Sequence, residues 1–403
     1  MSEQIVLSCG NCTDYEIAWD SRVLEQLIAE HGIVASEIGI DGTISSTRDL
    51  VVSVLGFLQN GTGGGRFVEF PSVIEDFAGR FPKRITMGGT SIRAAIAMRK
   101  LGYTSALHLV TINDHVREQI PRDCPWVCSN GKDSSYPHLI VQFPEDARVQ
   151  AGDIEIEATQ ANRVIYENDP DNLAMELDPH LASLATDARV FLVSGFNAMQ
   201  SSALLADRLA TLGEIVASLP ADALVFYEDA SYHKPALGAQ VRDALIDSID
   251  IFSLNEDEMQ GYLNTQVALM DPLAVHDALR QLRRLVPVPV LLVHTRHWAL
   301  AFGPNASRYE AALRAGITMA TTRLRCGDDF TGADYRDTEG LPIEADGRAF
   351  ANALGAAAGE LVCCLPSLAV GERVRITTVG LGDAFVGGVL PALAQGQNLR
   401  QRT

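Results

Sequence analysis

Positive charge is what this sequence has least of. Its 32 Lys and Arg stand against 51 Asp and Glu, giving a formal net charge of −19 and a pI near 4.8. So acidic a surface repels phosphate backbones and anionic lipid, which argues against nucleic acid and membranes as partners. A small anionic substrate is compatible with it only where a site gathers local positive charge or backbone N–H groups. Long apolar runs are missing as well. The stretch from Leu354 to Val370 is interrupted by Glu360 and Pro366 and falls short of a membrane span. The opening Met-Ser-Glu-Gln has no basic region, and Ile5 to Cys9 is too short for a signal sequence, so a cytoplasmic protein is expected. Cysteines number seven, an odd count scattered along the chain, which suits reduced thiols better than a disulfide framework. Cys9/Cys12 and Cys124/Cys128 have the spacing of zinc-ligand pairs. Cys9 ends an apolar strand, however, and the second pair encloses Pro125 and Trp126, so buried thiols are expected instead.

What is present is core-forming material. Of 403 residues, 47% are hydrophobic and 21% charged, enough for one large domain with an appendage or two ordinary ones. Short apolar runs read as buried strands at Ile5–Cys9, Ala106–Thr111, Val190–Val193, Ala223–Tyr227, Ile249–Leu254 and Val288–His294. Helical patterns lie between them at Ser91–Leu101, Ser201–Ser218, Gly238–Ile246 and Pro272–Leu285. This alternation predicts an α/β fold with a mostly parallel sheet covered on both faces. Two regions break the rhythm. From about Asp14 to Arg84 the chain carries the run Gly61-Thr-Gly-Gly-Gly65 and few strongly apolar runs. From about His138 to Thr159, the alternation of Asp153-Ile-Glu-Ile-Glu-Ala-Thr159 predicts a strand wet on one face. The expected division is a core of 1–13, 86–137 and 160–403, with 14–85 and 138–159 forming a smaller, discontinuous α+β domain.

The sharpest chemical signal is Thr377-Thr-Val-Gly-Leu-Gly-Asp-Ala-Phe385, ahead of a helical pattern at 384–393. Gly380 and Gly382 let the backbone approach a phosphate closely, and a helix start offers unpaired N–H groups with partial positive charge. Such a nest stabilises charge on a transferring phosphoryl group, and Asp383 is placed to accept a proton from an attacking hydroxyl. Taken alone, the tetrapeptide also reads as a turn with a capping aspartate. Asn255-Glu-Asp-Glu258 follows a strand, where ligands bind in open α/β sheets, and Glu258 suits Mg²⁺ or else an acidic helix start. Glu228, in Tyr227-Glu228-Asp-Ala-Ser231, could orient a metal-bound water or be an ordinary loop acid. His294, in His294-Thr295-Arg296, reads as a ligand or as a satisfied structural histidine.

In combination these residues resemble a known family. Met87-Gly-Gly-Thr90, followed by Ala94-Ala95 and Leu101-Gly102, resembles the first signature of the ribokinase superfamily, and Thr378-Val-Gly-Leu-Gly-Asp383 resembles the second. Within that superfamily the chain most resembles the ADP-dependent glucokinases and phosphofructokinases. Ala161-Asn-Arg-Val-Ile165, Val193-Ser-Gly-Phe-Asn-Ala-Met199, Leu254-Asn-Glu-Asp-Glu258 and Val293-His-Thr295 support this, in the family's order and across nearly the whole chain. The resemblance implies a ribokinase-like three-layer α/β/α core with a smaller lid that closes over a sugar. It implies a kinase moving a phosphoryl group from ADP to glucose or fructose 6-phosphate, with Mg²⁺, and releasing AMP. Carried over by position, Asp383 is the base, with Gly380, Leu381 and Gly382 forming the anion hole. Glu228 and Glu258 orient the metal, while Asn255, His294, Thr378 and Val379 line the nucleotide. Asp14, Gly88 and Gly89 meet the sugar. For a sugar phosphate, Arg163, Arg66 and Arg93 are candidate clamps.

The chain departs from the family in two places. Phe226 stands where the family pairs its first metal-orienting acid with a histidine, and Ala384 replaces a frequent threonine, as in the ATP-using branch. An ATP-dependent sugar or nucleoside kinase of the same fold, and a binding regulator that has lost catalysis, are therefore the competing readings.

Overall fold

The protein is described by a computed structural model covering residues 4–371 and 379–396. Ile5–Leu7 and Val190–Val193 are apolar and buried at every position, and such strands need cover on both faces. They lie side by side in the interior of a nine-stranded sheet. Its order is Val362–Pro366, Trp298–Phe302, Val290–His294, Ile251–Asn255, Leu224–Glu228, Val190–Val193, Ile5–Leu7, Ala106–Leu109 and Trp126–Cys128. Neighbours from Val290–His294 to Trp126–Cys128 run parallel, while the last two strands at the other edge are antiparallel. Successive side chains split between two cores. Val6, Phe191 and Val193 meet the helices Ser202–Ala217, Pro235–Leu245 and Pro272–Leu285. Ile5, Leu7, Val190 and Leu192 meet Thr90–Lys100, Glu310–Cys326 and Leu381–Gln395. The result is a three-layer α/β/α core, in which each fully buried Leu, Ile or Phe contributes roughly 1.5–3 kcal/mol.

A second sheet of five strands is ordered Gly64–Phe67, Asn162–Glu167, His138–Phe143, Cys12–Ile17 and Lys83–Gly88. It takes in Asn162–Glu167, beyond the segments 14–85 and 138–159 expected for the smaller unit, because that strand pairs antiparallel with His138–Phe143 and buries Val164 and Tyr166. The region from Asp14 to Arg84 is more apolar in three dimensions than its runs suggest. Its helices Ser21–His31, Thr47–Asn60 and Pro71–Ala78 cover this sheet with a core of their own, including Leu27, Leu50, Val54, Leu58 and Phe77. The alternating segment forms the strand Ile154–Glu157, with Ile154 and Ile156 buried and both glutamates exposed. Among the described residues no helix is long and apolar enough to cross a membrane.

Candidate active site

In the large sheet Ile5–Leu7 has the later strands Ala106–Leu109 on one side and Val190–Val193 on the other, so strands are added in opposite directions across the sheet, and open α/β sheets bind ligands beyond such a switch point. The chain leaves this strand through 8–11 and enters the smaller sheet at Cys12. Asn11 fixes the exit, because its Oδ1 accepts from the N–H groups of Val110 and Thr111 at 2.9 and 3.2 Å. The Gly88-Gly89 pair then lets the helix Thr90–Lys100 begin close by. Gly89 has φ of 96°, and a Cβ there would stand 2.8 Å from the Gly10 carbonyl oxygen. A Cβ on Gly88 would stand 2.5 Å from an Asp14 carboxylate oxygen. The two glycines therefore keep space open around Asp14.

Asp14 is buried, and its Oδ2 accepts from Arg93 Nη2 at 2.8 Å. Arg93 lies one turn into the same helix, with Glu16 at 3.8 Å and Asp383 at 3.7 Å. Burial disfavours the guanidinium charge, but Asp14, Asp383 and Glu16 outweigh it, so the arginine pKa is raised. Gly380, with φ of 69°, caps the helix Leu381–Gln395, and a Cβ there would collide with Arg93 Nη1. That helix starts three residues before the expected Ala384, which sets Asp383 in its first turn, where N–H groups are unpaired. Arg323 Nε donates to the Val379 carbonyl at 3.1 Å, and Arg323 is ion-paired to Asp328. Burial lowers the pKa of both Arg163 and Arg323. Asp383 opposes that shift at both, whereas neighbouring Arg93 adds to it. Three guanidinium groups are thus coupled to Asp383, though Asp14, Glu16 and Asp328 share their charge, so an anionic ligand would meet directed N–H donors rather than a net positive patch.

The second half of the site is acidic. Glu228 ends its strand with 7% exposure, and its Oε2 is buried without a hydrogen-bond partner. Glu258 accepts from the Asn255 N–H at 2.8 Å, while Asn255 Oδ1 accepts from the N–H groups of Asp257 and Glu258. This reciprocal cap fixes the helix Glu256–Leu263 and aims Glu258 back along the strand end. Burial, reinforced by Asp229 and Glu228, pushes Glu258 up to about 8. Burial also lifts Asp229 to about 6. Phe226, at the family's histidine position, is wholly buried in the core. A histidine reaches the same acid from elsewhere: His294 Nε2, two strands away, lies 3.1 Å from Glu228 Oε1. Burial disfavours the His294 imidazolium, yet this contact leaves its pKa raised. Its ring stacks on Phe385 with centroids 4.7 Å apart, and a Cβ on Gly382 would stand 3.5 Å from it. His294 therefore joins the acidic cluster to the Gly380–Asp383 turn.

The fold brings together Asp14, Gly88, Gly89, Gly380 and Asp383, with Arg163 coupled electrostatically to Asp383. Gly382, His294, Glu228, Glu258 and Asn255 adjoin them. Leu381 is the first helical residue and Val379 is buried, while Thr377 and Thr378 lie outside the described residues. Arg66 is elsewhere, donating to the Gly42 carbonyl beside the smaller sheet. Arg323 and Glu16 are site neighbours with no motif to mark them, and Asp229 lies in the Tyr227–Ser231 segment where only Glu228 was given a role. A cleft of about 1160 Å³ between the two sheets is lined by Gln142, Arg163, Glu167, His233 and Asp257.

Comparison with known proteins agrees with this geometry. No curated protein sequence matches the chain. A phosphofructokinase from Pyrococcus horikoshii OT3, solved with AMP, superposes with a TM-score of 0.77 at 16% identity, covering 97% of each chain. An ADP-dependent kinase in complex with fructose 6-phosphate and ADPβS superposes at 0.73 and 13% identity, covering 98% of this chain and 94% of that one. The last common ancestor of ADP-dependent phosphofructokinases from Methanosarcinales does so at 0.73 and 15%, covering 98% and 95%. At these identities what is shared is the fold. The conserved region of ADP-specific phosphofructokinase/glucokinase matches residues 3–390, so the chain belongs to that family of ADP-dependent sugar kinases.

Proposed function

We propose that the protein transfers the terminal phosphoryl group of ADP to a hydroxyl of a hexose or hexose phosphate and releases AMP, with Asp383 as the base. The observation that carries this is Asp383 in the first turn of a helix, 3.7 Å from Arg93 and facing the charges of Arg163 and Arg323. Asp14 accepts from a neighbouring sugar hydroxyl, and the attacking hydroxyl gives its proton to Asp383 as its oxygen bonds to the terminal phosphorus. The bridging P–O bond breaks, and AMP leaves with that electron pair. Negative charge on the moving group meets the N–H groups around Gly380, Leu381 and Gly382 and the guanidinium groups. Val379, Asn255 and His294 stand on the nucleotide side, Asn255 by holding Glu258 in place. Hard oxygen donors, an orphaned Glu228 Oε2 and a Glu258 that resists ionisation fit a magnesium ion, which Glu228 and Glu258 would hold. Bound there, Mg²⁺ would supply charge neutralisation for the phosphates.

One observation favours the second reading, a binding regulator: Arg93 is ion-paired to both the sugar-side Asp14 and the base. The test is product formation with Mg²⁺ and either ADP or ATP, against glucose, fructose 6-phosphate, ribose and nucleosides. AMP formed from ADP with one hexose supports the proposal and names the acceptor. ADP formed only from ATP replaces the donor. Silence with every pair, alongside calorimetric binding of sugar or nucleotide, would favour the regulator.

A further inference from the structure

Cys12 and Asp14 are two residues apart on the strand Cys12–Ile17, so their side chains share one face. The parallel neighbour His138–Phe143 places His138 directly opposite Asp14. One donor atom from each of Cys12, Asp14 and His138 lies within 4.8 Å of the others. A thiol, an imidazole and a carboxylate at that separation make up a tetrahedral zinc ligand set short of one member. Asp169 is outside that 4.8 Å group and would have to shift to become the fourth; its Oδ2 stands 3.3 Å from His138 Nε2 while also accepting from Asn172 Nδ2 at 2.6 Å.

Each donor is held from behind. Arg93 takes Asp14 Oδ2, which leaves Oδ1 toward Cys12, whose Sγ is 3.3 Å away. His138 Nδ1 lies 3.5 Å from Glu167 Oε2, and Glu167 is in turn fixed by His233 Nε2 at 3.0 Å. A carboxylate behind one ring nitrogen is how proteins orient a metal-bound histidine. The other ring nitrogen, Nε2, is buried against Asp169 Oδ2 at 3.3 Å without a well-aligned hydrogen bond.

We propose that Cys12, Asp14 and His138, completed by Asp169, form a site for a borderline divalent cation such as Zn²⁺, separate from the acidic cluster of Glu228 and Glu258. Binding converts the Cys12 thiol to a thiolate, releases its proton to solvent and replaces the Cys12–Asp14 hydrogen bond with bonds to the cation. Without a cation, burial pushes that thiol up to about 12, and a bound divalent charge reverses this preference. Because the site takes Asp14, Zn²⁺ competes with the sugar. That consequence rests on the kinase reading, whereas the site itself does not.

The test is titration of the full-length, chelator-treated protein with Co²⁺ alone, followed by Zn²⁺. One equivalent of Co²⁺ should produce a thiolate-to-cobalt charge-transfer band with the visible bands of tetrahedral cobalt, and Zn²⁺ should bleach both. Cys12→Ser should abolish the charge-transfer band, and Glu167→Gln, which leaves all four ligands in place, should weaken binding about 10–100-fold. No band in the unaltered protein, or a band that survives Cys12→Ser, would overturn the site and leave His138 as an imidazolium shared between Glu167 and Asp169. In turnover, Zn²⁺ should raise the sugar KM at fixed Mg²⁺, and an unchanged KM at saturating Zn²⁺ would overturn the competition. A cobalt band in a protein without kinase turnover would uphold the site and remove only the kinase reading.

Discussion

Arg93 and Asp14 are 79 residues apart in sequence, yet their ion pair is the contact around which the site is built. Arg93 stood out in the sequence only as one of three candidate clamps, and nothing in Ser91-Ile-Arg-Ala-Ala95 distinguishes a buried, three-carboxylate arginine from a solvated one, so its pairing with Asp14 was illegible there. Asp383 was legible because two glycines stand just before it and a helical pattern follows, a local arrangement that needs no distant partner. Asp383→Asn should lower kcat by about 10²–10⁴-fold while leaving nucleotide affinity nearly unchanged, since a base acts in the transition state. Calorimetry and single-turnover kinetics would separate the two, and unimpaired turnover would remove Asp383 from its role. Glu258 makes a second prediction, with a definite sign. Its folded value of about 8 exceeds the ordinary 4.5, so between those pH values the folded protein keeps a proton that the unfolded chain has released. Stability therefore falls as pH rises through that window. Mg²⁺ needs the ionised form, so the gain in Tm from adding it should grow as pH rises toward about 8 and level off above it. Glu258→Gln should flatten both trends in thermal melts, and an Mg²⁺ gain unchanged across the window would count against a metal role.

Elements were legible where apolar runs are continuous, as in Val190–Val193, which matches its expected bounds. They were less so in the smaller sheet. Its strands come from five separated stretches, and Gly64–Phe67 carries three polar or glycine residues that only their neighbours make strand-like. The strand end at Asn255 shows an element serving chemistry. Its side chain caps the helix Glu256–Leu263, and the cap also holds the Glu258 carboxylate against its own N–H. Asn255→Ala should cost about 0.5–2 kcal/mol in urea unfolding, as lost caps do. It should also raise the Mg²⁺ concentration needed for half-maximal rate, because Glu258 loses its register, while Asn255→Asp should recover most of the stability. A variant that loses stability yet keeps its Mg²⁺ dependence would make Asn255 a cap and nothing more.

At the scale of the molecule, the question is whether the smaller sheet moves. The cleft beneath it, about 1160 Å³, exceeds the roughly 300–1,000 Å³ usual for a small-molecule site. So open a cleft admits water, which competes with the sugar for the phosphoryl group. The buried Arg93–Asp14 pair ties the smaller sheet to the core beside the connecting segments, and the other ties across the cleft are weaker. Arg84 on the smaller sheet meets Asp328 of the core at 2.7 Å but is 53% exposed, and His233 of the core meets Glu167 at 3.0 Å. The exposed Arg84 pair contributes about 0–1 kcal/mol, too little to hold the rim of the cleft in one arrangement against ligand binding. Bound sugar and nucleotide together should therefore draw the sheets closer, and small-angle scattering should record a smaller radius of gyration with both present than with neither. ADP hydrolysis without sugar should remain far slower than transfer, because closure comes only with the full complement of ligands. An unchanged radius together with rapid hydrolysis would make the smaller sheet a fixed wall, and water exclusion would then have to come from the sugar itself.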